Sequence, residues 1–586
     1  MPDVTDLERL FRRIDGKGYG AGKQVVGRYQ ARDMLLWFTR APADKFAPPG
    51  RLIVEFSPSK YGYPDHLLSD STRRKCLGHF LSELVDSKIR SSGLRLLRMD
   101  SPRQVVLDRT SVSVKPERIQ LRLGYHFEAV GRRILGRKCA EVFCEILPQI
   151  VRELRYKHLD EVSLLNLIRC VENQRAMRSL LPEMGLVAFV GNGSILPRQG
   201  NTDKPMKRGV TPFEAPDSLE VSIEVPHGDP VRGLGIAEGE LTCISGANFQ
   251  GKTTLLEALG QGIYDHIPGD GRELVVCVRE LVFANKENRR IVRSTDISPF
   301  ISKLPGVDDC SRFSTASASG STSQAACIID AIEAGAQGLL IDEDDSAVNL
   351  LVKDNRLRRL VPSDVEPIRP LIDTIKSLPR EHGITPIMVV GALGEFTEIA
   401  DTIVMMHEFR VEDATHRILE FRQDPTVELM REVAERLPTE VKQVLGKAKE
   451  EARLSQVRGK RFGQIRRRIP RPVEMSGRTK TKHSGRDEIL ISTNSKRVSI
   501  DLRGDIQKTL VEDSQVTALA DAVVYSTRYM DGSRDLSSVV DQVMQDVQKH
   551  GLDVISRSSL PGQRDYAEFT RYQLFYALSR FPLLEV

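Results

Sequence analysis

The chain runs to 586 residues, too long for one ordinary core, which predicts two to four domains. No run of about 18 apolar residues exists, so a membrane-spanning helix is excluded. The acidic start Met1-Pro2-Asp3-Val4-Thr5-Asp6-Leu7-Glu8 lacks the apolar segment of a secretory signal. The eight cysteines are scattered without a C-x-x-C pair, which fits buried thiols in a reducing compartment rather than a zinc or disulfide framework. The expectation is a water-soluble intracellular protein without a membrane partner, cytoplasmic first, with nucleus or organelle open. The net charge is only +5, so any nucleic-acid argument rests on where the charge lies.

In chain order, Leu7, Leu10, Phe11 and Ile14 fall at helical spacing and predict an opening amphipathic helix. Asp15-Gly16-Lys17-Gly18-Tyr19-Gly20 reads as a loop. Arg51–Phe56 alternates like a half-buried strand, and Val105–Leu107 and Ile119–Leu123 look like strands. Gly131–Lys138 is a basic turn running into a helix, carrying Arg132, Arg133 and Arg137. Residues 150–181 are helical in pattern, and Gly185–Val190 is a short buried strand. Residues 196–217, rich in Pro, Gly, Lys and Arg, read as a linker or surface loop.

Gly246-Ala247-Asn248-Phe249-Gln250-Gly251-Lys252-Thr253-Thr254 then reads G-x-x-x-x-G-K-T, a phosphate-binding P-loop. The apolar run Leu241–Ile244 leads in as a strand, and Thr254–Leu259 leads out as a helix. The glycines let the backbone wrap a phosphate, and the helix start aims amides at it. In this reading Gly246, Asn248, Gln250, Gly251, Lys252, Thr253 and Thr254 bind the nucleotide. Lys252 sits on the β- and γ-phosphates, and the Thr253 hydroxyl holds Mg²⁺. The apolar run Gly338–Ile341 ends in Asp342 and Glu343. Asp342 is the Mg²⁺ anchor and Glu343 the general base that polarises the attacking water.

Between these motifs, Ser319-Gly320-Ser321-Thr322-Ser323-Gln324 resembles the S-G-G-Q signature loop of ABC ATPases, at about the family's interval before the acids. Ser346-Ala347-Val348-Asn349 resembles that family's D-loop. The likeness extends over nearly the whole chain. Ile14–Tyr19, Gly131–Arg137, Gly185–Val190, Tyr264–Glu273, Asp296–Ile301 and Asp342-Glu343-Asp344 resemble the proteins described as predicted ATPases of the ABC class, which lack transporter domains. The resemblance implies an α/β fold: an ABC-type P-loop domain (211–425) flanked by an N-terminal α+β domain (1–210) and a mostly helical C-terminal domain (426–586). It implies ATP and Mg²⁺ as cofactors. It also implies an ATP-dependent head-to-tail homodimer, in which Ser319, Gly320 and Ser321 close the nucleotide site of the opposite copy. RNA binding within that family raises the standing of the basic tract 458–486.

That tract is the most basic in the chain. It carries Arg458, Lys460, Arg461, Arg466, Arg467 and Arg468, with Phe462 available to stack on a base. It is either a solvated connector or a phosphate-binding surface, to which Arg132, Arg133 and Arg137 would add. The chain departs from the family pattern at Phe249-Gln250, where Tyr-His is usual, and at Thr253 for Ser. It departs again at Asp345, at Asn349 in the D-loop, and at Gly391, where most ABC ATPases carry a histidine that touches the γ-phosphate. The expected function is an ABC-class ATPase coupled to RNA or another nucleic acid. The alternative is a nucleotide-gated nucleic-acid clamp with little hydrolysis. A small-molecule kinase is a weaker third reading, because it leaves the signature-like loop without a role.

Overall fold

The computed structural model describes residues 1–318, 320–353, 365–422, 461–475, 479–494 and 496–586. Residues 426–456, at the start of the expected helical C-terminal domain, lie outside them, as do Ser319, Arg458 and Lys460.

The chain opens with the expected amphipathic helix, Val4–Ile14, capped by Asp3, whose carboxylate accepts from the Thr5 and Asp6 amides. Its apolar stripe of Leu7, Phe11 and Ile14 is fully buried. It meets an antiparallel sheet in the order Gly27–Ala31, Met34–Arg40, Gly50–Phe56, Arg118–Tyr125, Leu97–Arg98, with Val112–Lys115 also paired to Arg118–Tyr125. Phe11, Phe38, Tyr125 and Phe143 pack with ring centroids 5.2–5.5 Å apart at their closest, the offset and edge-on geometry aromatic rings favour. Val105–Leu107, expected as a strand, is not one. Val105 makes only an isolated bridge to His266, and the Val106 amide donates to the Asp265 carbonyl. Its apolar residues are anchored by burial between domains rather than by a ladder.

The central sheet runs Leu281–Phe283, Gly338–Asp342, Thr385–Val389, Thr242–Gly246, Thr402–His407, Arg410–Asp413. The first five strands are parallel and the last antiparallel. Near-continuous apolar runs such as Leu339-Leu340-Ile341 suit strands buried on both faces. A second, antiparallel sheet pairs Leu186–Gly191 with Val231–Ala237 and Val275–Cys277. One apolar core joins this sheet to the helix Lys252–Gln261.

The C-terminal part is a three-stranded meander, Lys480–Ser484, Glu488–Ser492 and Arg497–Asp501, followed by helices Asp505–Thr509, Asp513–Ser526, Leu536–His550 and Arg571–Ser579. It does not stand apart. Phe575, Leu578, Val516 and Ile500 share one core with Ile329, Leu339 and Met388 of the central domain. Both domains therefore bury apolar surface in each other.

Candidate nucleotide site

The P-loop joins the strand Thr242–Gly246 to the helix Lys252–Gln261. Gly246 has φ +134°, and a Cβ there would lie 2.3 Å from the Met406 carbonyl oxygen of the adjacent strand, so only glycine fits. Gly251, at φ +95°, makes the turn into the helix. Lys252 is buried, and its ammonium donates to the Gly246 and Ala247 carbonyls at 2.7 and 2.9 Å. Those bonds hold it across the loop it is expected to serve. The Gln250 side-chain oxygen accepts from the Glu408 amide at 2.5 Å, which pins the loop tip to a neighbouring turn.

The Thr253 hydroxyl donates to the Asp342 carboxylate at 2.9 Å. Two hard oxygens from separate motifs thus converge at one point, a donor set that fits Mg²⁺. Burial pushes the Asp342 carboxyl up, against the Thr253 hydroxyl and the Asp344 amide, which hold it down. Glu343, next in the chain, is also buried. Its carboxylate accepts from the amides of Gly391 (2.7 Å), Ala392 (3.0 Å) and Leu393 (3.1 Å). Gly391 is the position where the family resemblance places a histidine. Here the backbone of that loop grips the acid directly.

The signature-like helix Gly320–Glu333 is bound to the same strand end. Gln324 donates to the Ser346 hydroxyl at 2.8 Å and accepts from the Ala347 amide at 2.8 Å. Ser321 donates to Asn349 at 2.8 Å. The signature and D-loop motifs, separate in sequence, are one hydrogen-bonded unit behind Asp342 and Glu343.

Two family models match the larger part of the chain: the ATPase of the ABC class N-terminal domain over residues 4–158, and the ABC ATPase P-loop domain over 160–443. The chain belongs to the ABC-class ATPase family. Its residues 480–586 also match the MRB1590 C-terminal domain. An uncharacterized protein of Methanocaldococcus jannaschii is 35% identical over 248 residues, 41% of this chain and 54% of that protein, so the chain spans about half the relative's length. The solved structure of CbiO1 from Clostridium perfringens, part of an ABC transporter complex, aligns at 17% identity with a TM-score of 0.25, over 45% of this chain and 99% of that one. No helix among the described residues is long and apolar enough to cross a membrane.

Three groups at this ABC-class site have no counterpart in the sequence motifs. The Asn285 side-chain oxygen accepts from the Asp342 amide at 2.8 Å. Its side-chain nitrogen and its own backbone amide both donate to Asp505 of the C-terminal domain, at 2.8 and 2.7 Å. Lys508, three residues on, reaches Asp345 at 2.5 Å. The C-terminal domain therefore touches the strand end that bears Asp342 at two points. A polar residue two positions after the strand Leu281–Phe283 was the available signal for Asn285. Nothing in the local sequence of Asp505 or Lys508 points to partners so far back along the chain.

The structure corrects the reading of the basic tract. Arg468 is fully buried, with its side chain on Glu333 and Asp330 at 2.8 Å each and its own amide on Glu333. Arg290 and Arg580 complete the cluster through Asp330 and Glu287. Arg468 is a structural ion pair, unable to meet a phosphate. Phe462 is likewise buried, edge-on to Phe300 at 5.1 Å and His382 at 5.3 Å, and cannot stack on a base. Arg467 is exposed and pairs with Asp535 at 3.0 Å. The Arg466 amide donates to Asp296 at 3.0 Å, while Arg461 is exposed. Arg132, Arg133 and Arg137 are all exposed on the N-terminal domain.

Proposed function

We propose that this ABC-class protein hydrolyses ATP in a head-to-tail pair of copies, and that turnover is coupled to a bound nucleic acid. The observation that carries the reading is the meeting of Thr253 and Asp342 at 2.9 Å with Glu343 beside them. Gly246, Asn248, Gln250, Gly251 and Thr254 would line the phosphates with Lys252. Thr253 and Asp342 would hold Mg²⁺, whose charge offsets that of the phosphates. Glu343 would accept the proton of the water that attacks the γ-phosphate. Ser319, Gly320 and Ser321 would close the site of the opposite copy. The mechanical link of the helix Gly320–Glu333 to Asp342 through Gln324 and Ser346 supports that role.

The Glu343→Gln variant tests it. ATP binding should persist, with turnover reduced ~100-fold or more, as expected for loss of a general base. Light scattering in ATP should show the mass of a dimer. Turnover equal to wild type would remove Glu343 from the mechanism.

A second reading, a nucleotide-gated clamp with little hydrolysis, is favoured by one observation: the three amides of Gly391–Leu393 occupy the Glu343 carboxylate. Those amides compete with an attacking water for the carboxylate oxygens until that loop shifts. Wild-type turnover no faster than Glu343→Gln, with a stable dimer in ATP, would select this reading.

A further inference from the structure

A cavity of about 850 Å³ lies between the N-terminal sheet and the C-terminal helix Leu536–His550, away from the nucleotide motifs. Seven arginine and lysine side chains line it, against the carboxylates of Asp108, Asp553 and Glu568. The cations fall into two sets. Lys75, Arg109 and Arg122 are buried in the walls and paired, Lys75 with Glu568, Arg109 with Glu512 and Arg122 with Asp553. They hold the two domains together, since each reaches from the N-terminal domain to the C-terminal one. Arg28, Arg74 and Lys115 are ion-paired to nothing among the described residues, and Arg118 has only its neighbour Glu117, 4.0 Å away. Lys75 and Arg122 thus neutralise two of the cavity's three acids, and the outer four cations outnumber the third, Asp108, leaving the wall net positive.

One further observation marks the cavity as more than a charged seam. The chain's one tryptophan, Trp37, also lies on the wall, half-buried, with the Arg28 guanidinium 4.1 Å from its ring centroid. Unpaired cations beside an aromatic face are the combination that holds a phosphate chain and its unstacked base.

We infer that this interdomain cavity binds a phosphate-bearing nucleotide chain, with Lys115 and Arg118 on phosphates and the Trp37–Arg28 pair against a base. It gives the nucleic acid of the proposed function a location away from the tract 461–475, and it rests on that reading only for the coupling to turnover. The coupling has a route. The wall helix belongs to the domain whose Asp505 and Lys508 bond to Asn285 and Asp345 at the nucleotide site.

The test uses the full chain and a labelled ten-nucleotide single-stranded RNA, with a nucleoside monophosphate as competitor. Lys115→Glu/Arg118→Glu changes two exposed residues outside the nucleotide site, so basal ATP turnover and melting should be unchanged. RNA binding should weaken at least tenfold. The slope of log affinity against log salt should fall by ~0.7 for each phosphate no longer neutralised. Trp37→Ala should weaken binding about tenfold with the salt slope intact, because stacking releases no counterions. Competition by the monophosphate at equal concentration would identify a free nucleotide as the ligand of the same site and overturn the assignment to a chain. Absence of competition, with weakened binding in both variants, would identify the strand. Unchanged RNA affinity in both variants, or a wild-type chain that binds neither probe, would overturn the inference. Glu343-dependent turnover without RNA would still stand in that case, so the two failures are distinguishable.

Discussion

Two arginine-rich regions of this protein do opposite work. In the tract 461–475 arginine is dense along the chain, yet Arg468 is wholly enclosed by Asp330 and Glu333, Arg467 pairs with Asp535, and the Arg466 guanidinium reaches only the Ser294 hydroxyl, at 3.4 Å. In the interdomain cavity the cations come from distant positions, and Arg28, Arg74 and Lys115 have no ion-pair partner among the described residues. Charge density in sequence measures the first arrangement. Only the field left after internal pairing measures the capacity to hold an external anion. A buried charge and its partners act on fold and register, whereas an unpaired exposed charge acts on ligands.

The largest expected effect separates the two. Arg468→Ala leaves Asp330 and Glu333 with one fewer cation in a site that excludes water. Such a change typically costs ~3–5 kcal/mol, and a sharp drop in the denaturation midpoint should report it. Arg467→Ala, one residue away, removes a pair with Asp535 in which the arginine is 66% exposed and should cost no more than ~1 kcal/mol. Equal effects from the two variants would dissolve the distinction between latch and surface.

The next question is whether the buried latch is felt at the nucleotide. Asn285 touches both, bonding to the Asp342 amide and to Asp505. Asn285→Ala should lower turnover or raise the Mg²⁺ concentration needed for it by ~10–100-fold, the range for residues that orient a metal ligand. ATP affinity measured without Mg²⁺ should move little. A variant with normal turnover and normal Mg²⁺ dependence would show that the C-terminal domain is only attached to the site.

The parts of the site that are legible in the sequence are those where a motif is contiguous and its chemistry demands particular residues. Gly246 must be glycine because Met406 backs onto it, and Thr253 and Asp342 must offer oxygens. Val105–Leu107 reads as a strand and is not one, because an apolar triplet looks the same whether it pairs in a sheet or plugs a domain boundary. Arg468 reads as a surface cation for a related reason: its partners, Asp330 and Glu333, lie far earlier in the chain, on the signature helix. The grip of Gly391–Leu393 on Glu343 is invisible in the sequence because backbone amides carry no sequence signature.

The smallest expected effect probes the latch by pH. Glu287 and Asp505 are adjacent, the Asp505 amide donating to Glu287 at 3.1 Å, and both are buried. Burial raises both carboxyls, but the Arg580 and Arg290 guanidinia overcome it for Glu287 and hold that group below its usual range. Asp505 has no arginine ion pair among the described residues and lies beside the Glu287 charge, so burial pushes it up to about 6. An acid raised in the folded state favours folding while protonated. Its contribution is therefore full below the ordinary value of 3.8 and is lost as the pH rises through about 6. Asp505→Asn cannot ionise and escapes that loss. Between pH 4.5 and pH 7 its stability relative to wild type should improve by ~1–2 kcal/mol, from the linkage of about 1.4 kcal/mol per pKa unit after partial relaxation of the site. The absolute offset between the two proteins also contains the altered bond to Asn285, so the pH-dependent difference is the quantity to read. A difference that does not change with pH would mean that Asp505 is ionised across the range, with Lys508 rather than Glu287 setting its charge.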